Sequence, residues 1–170
     1  WLVLGTIPLA SEISSDAFLV CIKNAVKAGI RIAVDLNWRP TFWRNKVSTE
    51  FEPSLREKNE IISILKNVSL IKLAKEEAQS FFNTSNPIEI SSLLSKKPSV
   101  IVTDGSNPIL WLVNNHIGKS FAISPPSVVD TTGAGDAFTA GLVYKLLSVE
   151  LDQISKELAE DIIQFAIASG

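Results

Sequence analysis

Short, unbroken runs of apolar and β-branched residues alternate along this chain with longer stretches whose apolar side chains recur every three or four positions. Few patterns restrict a fold more tightly. The runs are Trp1 to Ile7 (stopped by Pro8), Ile30 to Leu36, Val68 to Leu73 and Val100 to Val102. Strands that are apolar without alternation are buried on both faces, and such strands belong to parallel sheets. Parallel neighbours need a crossover between them, usually a helix. The expectation is therefore an α/β protein with a mostly parallel sheet covered on both faces.

The intervening stretches supply the helices. Residues 12 to 28 place Phe18, Leu19, Ile22 and Val26 in helical rhythm and end at Gly29, a residue suited to a helix stop. Residues 53 to 66 repeat the rhythm with Leu55, Ile61, Ile62 and Leu65, with Pro53 in the first turn. Lys75 to Phe82 and Ile88 to Leu94 read as short helices, and Ala134 to Leu147 and Asp152 to Ala168 as longer ones. Asn114-Asn115 between Ile109 to Val113 and Ile117 to Ile123 predicts a hairpin. The polar, aromatic stretch Asn37 to Glu52 is expected to be loop, with Trp38, Phe42 and Trp43 packing over a core edge. Cys21 reads as a small core residue and His116 as solvent-exposed.

Composition narrows the functions. A hydrophobic share of 46% suits a buried core. Lys+Arg at 16 against Asp+Glu at 18, a net charge of -2, gives no basic surface for nucleic acid or an acidic membrane. One cysteine forbids an internal disulfide, and a lone histidine gives no basis for a histidine metal cage or a Ser-His-Asp hydrolase. No run approaches the roughly 20 apolar residues that cross a bilayer, and the apolar start lacks the basic leader of a signal peptide. The chain has no methionine, position 1 included, and its end reads like a helix stopped midway. A piece of a longer protein is the expectation.

Ligands of parallel sheets bind beyond the carboxyl ends of the strands. The polar segments Asp35 to Arg39, Asp104 to Asn107 and Asp130 to Asp136 fall there. The most informative is Asp130-Thr131-Thr132-Gly133-Ala134-Gly135-Asp136, entered by the apolar pair Val128-Val129 and left by an amphipathic helix. Small residues at 133 to 135 let a ligand approach the backbone. The free N–H groups and dipole of a helix starting there favour an anion, with Asp136 beside it. Simple capping by Asp130 or Thr132 is the competing reading, but it does not require glycine at both 133 and 135. No G-x-x-x-x-G-K-[ST] occurs, and the third glycine of G-x-G-x-x-G is missing, so neither a P-loop nor a dinucleotide site is expected.

Asp130 to Leu142 resembles the second signature of the ribokinase-like (PfkB) carbohydrate kinases, whose core is D-T-x-G-A-G-D. Gly5-Thr6-Ile7-Pro8-Leu9, Asp35-Leu36-Asn37-Trp38-Arg39-Pro40 with Trp43, and Ile71-Lys72-Leu73-Ala74-Lys75-Glu76-Glu77 are similar to the fructokinase branch. The resemblance implies a three-layer α/β/α ribokinase-like sandwich. It also implies that residues 1–170 are the central and C-terminal portion of one kinase domain, without its first signature, lid and most sugar contacts. The implied activity is ATP-dependent phosphorylation of a primary hydroxyl of a small sugar. Asp136 is then the catalytic base, and the amides of Gly133, Ala134, Gly135 and Asp136 hold the phosphoryl group.

Other roles carried over from the family are positional. Thr103 and Gly105 match the nucleotide loop, although Asp104 replaces its usual apolar residue and Pro108 stands near a common glycine. Asn37 and Arg39 match groups that face phosphate or sugar acid. Glu77 matches an acid that organises Mg²⁺ through water, with Ala74 where the motif has Asn. Asp130 and Thr132 match neighbours of a potassium ion, and Ile167 stands where Asn is frequent. ATP, Mg²⁺ and K⁺ are thus the implied cofactors, and a small sugar the implied partner. The family resemblance also allows a homodimer of the full-length protein, and a cytoplasmic location or, in a photosynthetic eukaryote, a plastid. A 2-keto-3-deoxygluconate kinase and a non-catalytic, kinase-like regulator are the alternatives.

Overall fold

The computed structural model describes residues 1–43, 51–123, 127 and 130–170. Residues 44–50 of the aromatic stretch, and Val128-Val129 before the glycine loop, lie outside them. Six strands form one sheet in the order of the chain: β1 (Leu2–Gly5), β2 (Ile32–Asp35), β3 (Leu70–Ala74), β4 (Ser99–Asp104), β5 (Asn107–Val113) and β6 (His116–Ser120). The first four are parallel. β5 and β6 return as antiparallel hairpins.

Between the parallel strands run α1 (Glu12–Lys27), α2 (Pro40–Trp43), α3 (Leu55–Leu65), α4 (Lys75–Phe82) and α5 (Pro87–Ser92). The crossovers between parallel strands advance one position each time. With a constant right-handed sense, such crossovers put all their helices on one face. One core does lie there: Phe18, Ile22, Ile61, Leu65, Phe81 and Ile90 pack on Ile32, Val34, Val100 and Val102. The opposite face is left for α6 (Ala134–Leu146) and α7 (Lys156–Ser169). Their Phe138, Leu142, Ile163 and Ala166 pack on Ala33, Leu70, Ile101 and Trp111. Alternate residues of β2 and β4 thus serve opposite cores, which is why those segments are apolar throughout.

The α1 helix ends before Gly29, at φ +69. The Asn114-Asn115 turn has φ +46 and +64, the left-handed pair a tight hairpin requires. α3 is capped by Ser54, whose hydroxyl accepts from the Glu57 amide while the Glu57 carboxylate accepts from the Ser54 amide. Pro53 therefore precedes the cap instead of entering the first turn.

Several side chains depart from the sequence reading. Leu55 is 75% exposed, because the buried stripe of α3 runs through Glu57, Ile61, Ile64 and Leu65, and position 55 lies across the helix from it. On α1 the buried stripe is Phe18, Ile22 and Ala25. Leu19, Cys21 and Val26 flank this narrow line and are exposed. His116 is half-buried, since it opens β6 opposite Val113, and that strand stops at Ser120, short of Ile123. α7 starts at Lys156 behind a Ser155 cap, with a short 3-10 turn at Leu151–Gln153 before it. Trp38 is fully buried between Trp43 and Phe81, whereas Phe42 stays exposed.

Candidate active site

The parallel arrangement brings Gly5, Asp35, Ala74 and Asp104, the last residues of β1 to β4, to one edge of the sheet. α6 starts at that edge on the second face. Gly133 is its N-cap, at φ +83, a conformation in which a Cβ would be strained. No side chain caps the helix. Asp130 and Thr132 instead close on each other: Asp130 Oδ1 accepts from the Thr132 amide at 2.9 Å and from its hydroxyl at 2.8 Å. Those two bonds hold the Asp130 carboxyl below its usual range. The capping alternative for these two residues is thereby corrected, because the left-handed glycine takes the cap position.

The Ala134 amide bonds the Thr131 carbonyl at 3.2 Å. The amides of Gly135 and Asp136 follow in the first turn, where an α-helix has no carbonyl of its own to offer them. Asp136 is exposed and lines a cavity of about 590 Å³ together with Asp35, Asn37 and Thr139 on its polar side. Val3, Leu4, Val143, Tyr144 and Leu147 form the apolar side.

Asn37 enters this cavity from a left-handed backbone at φ +42. Glu77 holds the loop that carries it. That side chain is 4% exposed, and its two oxygens accept the amides of Trp38 at 2.6 Å and Ala74 at 2.7 Å. Burial raises the Glu77 pKa, partly offset by the Ala74 and Trp38 amides. The carboxylate is thus committed to fastening the start of α4 to the Asn37–Arg39 loop. Arg39 is exposed, with its guanidinium on the Trp38 carbonyl at 3.1 Å.

Thr103 pairs with Ala74 one residue before the end of β4, and Gly105, at φ +55, makes the β4–β5 turn. Asp104 in that turn pairs with Lys75 at 2.8 Å, and the contact lowers its pKa. The fold therefore brings Asn37 and Asp136 to one cavity. Thr103, Gly105, Arg39 and Glu77 stand along the same edge outside its lining. Among the described residues no three His, Cys, Asp or Glu gather to hold a metal ion, and no helix is long and apolar enough to cross a membrane.

Three groups that the sequence reading did not single out as site residues meet under the loop. Lys72 Nζ lies 2.8 Å from Asp35 Oδ2, with both side chains nearly buried. The Thr139 hydroxyl lies 3.1 Å from the same oxygen and 2.9 Å from the Gly135 carbonyl. A lysine inside the apolar run Leu70-Ile71-Lys72-Leu73 was the available signal.

Known proteins share this fold. A fructokinase from Vibrio cholerae, solved with fructose, ADP and calcium, superposes with a TM-score of 0.78 at 26% identity, over 98% of this chain and 52% of that one. An aminoimidazole riboside kinase from Salmonella enterica has the same fold, with a TM-score of 0.78 at 23% identity, over 99% and 54%. In sequence the chain is 29% identical to the Arabidopsis thaliana protein named probable fructokinase-6, chloroplastic, over 98% of this chain and 42% of that one. It is 30% identical to a Salmonella thompson fructokinase, over 86% and 63%. The chain thus spans about half the length of the curated relatives it matches. With this ribokinase-like sandwich and a match over residues 2–170 to the family described as pfkB family carbohydrate kinase, the chain belongs to that family.

Proposed function

We propose that this chain carries the phosphoryl-transfer half of an ATP-dependent sugar kinase, fructokinase-like, acting on a primary hydroxyl. The observation that supports this most is Asp136 in the first turn of α6, facing the cavity beside a left-handed Gly133. In that position a carboxylate accepts the proton of a sugar hydroxyl as its oxygen forms a bond to the γ-phosphorus. The bond from that phosphorus to the β,γ-bridging oxygen breaks, and ADP leaves with the electron pair. The transferring group carries charge on three oxygens. The Gly135 and Asp136 amides, with the α6 dipole, stabilise that charge. Asn37 faces the same space and suits a phosphate or sugar oxygen.

The nucleotide loop of this reading is Thr103–Gly105, and Arg39 is an anion contact at the rim. Magnesium would neutralise phosphate charge when bound with the nucleotide. Glu77 serves it at most indirectly, since both carboxylate oxygens hold backbone amides. Asp130 and Thr132 are the residues proposed to adjoin a potassium ion. Fructokinases solved with fructose and ADP and with ATP support a sugar and ATP as ligands, fructose first.

The test is ATP turnover by the complete natural protein against fructose, ribose, adenosine and 2-keto-3-deoxygluconate, repeated with Asp136→Asn. The expected result is turnover of one sugar and a loss of at least about 100-fold in kcat in the variant, the scale of general-base catalysis. Retained turnover removes Asp136 as base, and no turnover with any acceptor favours the regulator.

A further inference from the structure

The triad beneath the glycine loop has a geometry that stability does not require. Asp35 ends β2, Lys72 lies in β3 and Thr139 in the second turn of α6. Asp35 and Lys72 are direct neighbours in the strand register, and Asp35 Oδ2 receives both Lys72 and Thr139. Asp35 Oδ1 is buried and meets no hydrogen-bond partner among the described residues. The Thr139 hydroxyl has one hydrogen and two acceptors in reach, Asp35 Oδ2 and the Gly135 carbonyl. From below, Lys72 Nζ sits 3.2 Å from where a Cβ on Gly135 would be. A buried ion pair is often replaceable by apolar residues without loss of stability, so stability alone does not account for this one. Here the pair and the hydroxyl link two strands of the sheet to the turn that carries Asp136.

We propose that Asp35, Lys72 and Thr139 are positioning residues that set the height of the Gly133–Asp136 turn above the sheet. Lys72 supports the turn from below and Thr139 fastens it to Asp35. The kinetic part of this inference rests on the kinase reading; the structural part does not.

The experiment uses the complete protein with Thr139→Val and Thr139→Ser, in two arms. In steady-state kinetics with ATP and sugar, Thr139→Val lowers kcat by about 10- to 100-fold, the scale of a misplaced reacting group, with the sugar KM changed by less than about threefold. In amide hydrogen exchange, Thr139→Val speeds exchange at residues 137–138, the first amides of α6 bonded within the helix, by at least about tenfold, while the rest of the sheet keeps its protection. Thr139→Ser, which keeps the hydroxyl, restores both readouts. Serine failing like valine overturns the proposal, since packing of the methyl would then explain the loss. Wild-type behaviour of Thr139→Val in both arms overturns it as well. If the wild type phosphorylates no acceptor, the kinase reading fails and the exchange arm alone decides the clasp. Should Thr139→Val not fold, Thr139→Ala, which also lacks the hydroxyl and adds no bulk, takes its place with the same outcomes.

Discussion

Replacing Lys72 by methionine keeps the length of the side chain and deletes its charge. The wild-type ammonium is 2.8 Å from Asp35 Oδ2, with side chains 12% and 11% exposed. At an effective dielectric of about 20, that separation corresponds to an attraction of about 6 kcal/mol. Desolvating the two ions costs several kcal/mol each, so the intact pair contributes little net stability. Removing one partner is different. Asp35 would stay buried with only the shared Thr139 hydroxyl as donor, and Lys72→Met should cost about 3–5 kcal/mol. That is a large part of the roughly 5–15 kcal/mol available to a domain. The double variant Asp35→Asn/Lys72→Met removes both charges and should lie within about 1 kcal/mol of wild type. Urea unfolding of the four proteins measures this as shifts in midpoint at constant m-value. A loss below about 1 kcal/mol in Lys72→Met would refute the buried-pair argument. A double variant as unstable as the sum of the singles would do the same.

Two further substitutions separate folding from site. Gly135→Ala places a Cβ 3.2 Å from Lys72 Nζ, a tight contact that a lysine end relieves by a small shift, and alanine is the better helix former by up to about 1 kcal/mol. Thermal stability should hold or rise slightly while phosphoryl transfer falls at least about tenfold, because the methyl narrows the approach to the loop; unchanged kcat/KM would show that the glycine serves no ligand. Glu77 has a pKa raised from 4.5, first by burial, so the native state holds this proton to higher pH than the unfolded chain does. Its contribution to stability is therefore full below about 4.5 and declines as pH rises through the raised value. Glu77→Gln should lose about 1–3 kcal/mol at neutral pH, where an amide cannot accept both backbone N–H groups. The stability difference between wild type and Glu77→Gln should shrink as pH rises from about 4.5, and a difference that is flat or grows across that window in matched denaturant titrations would contradict the assignment.

The apolar runs and helical rhythms were enough for an α/β sheet because period and burial are local properties of the chain. Lys75–Phe82 and the Asn114-Asn115 turn appear where the residues placed them. The helix start at Ala134 with Asp136 in its first turn was equally legible, because it depends on residues adjacent in sequence, whereas the left-handed Gly133 cap emerged only in the fold. Leu55 and Cys21 were misjudged because which stripe of an amphipathic helix meets the sheet depends on the neighbour it packs against. The Asp35–Lys72–Thr139 cluster was invisible for a related reason. Lys72 follows Asp35 by 37 positions and Thr139 by 104. A lysine within a strand has no stated side or partner until the parallel register sets it beside Asp35 and α6 closes over both. Local chemistry wrote the elements and the loop into the chain; strand order, crossover handedness and burial chose which distant charges lie under that loop.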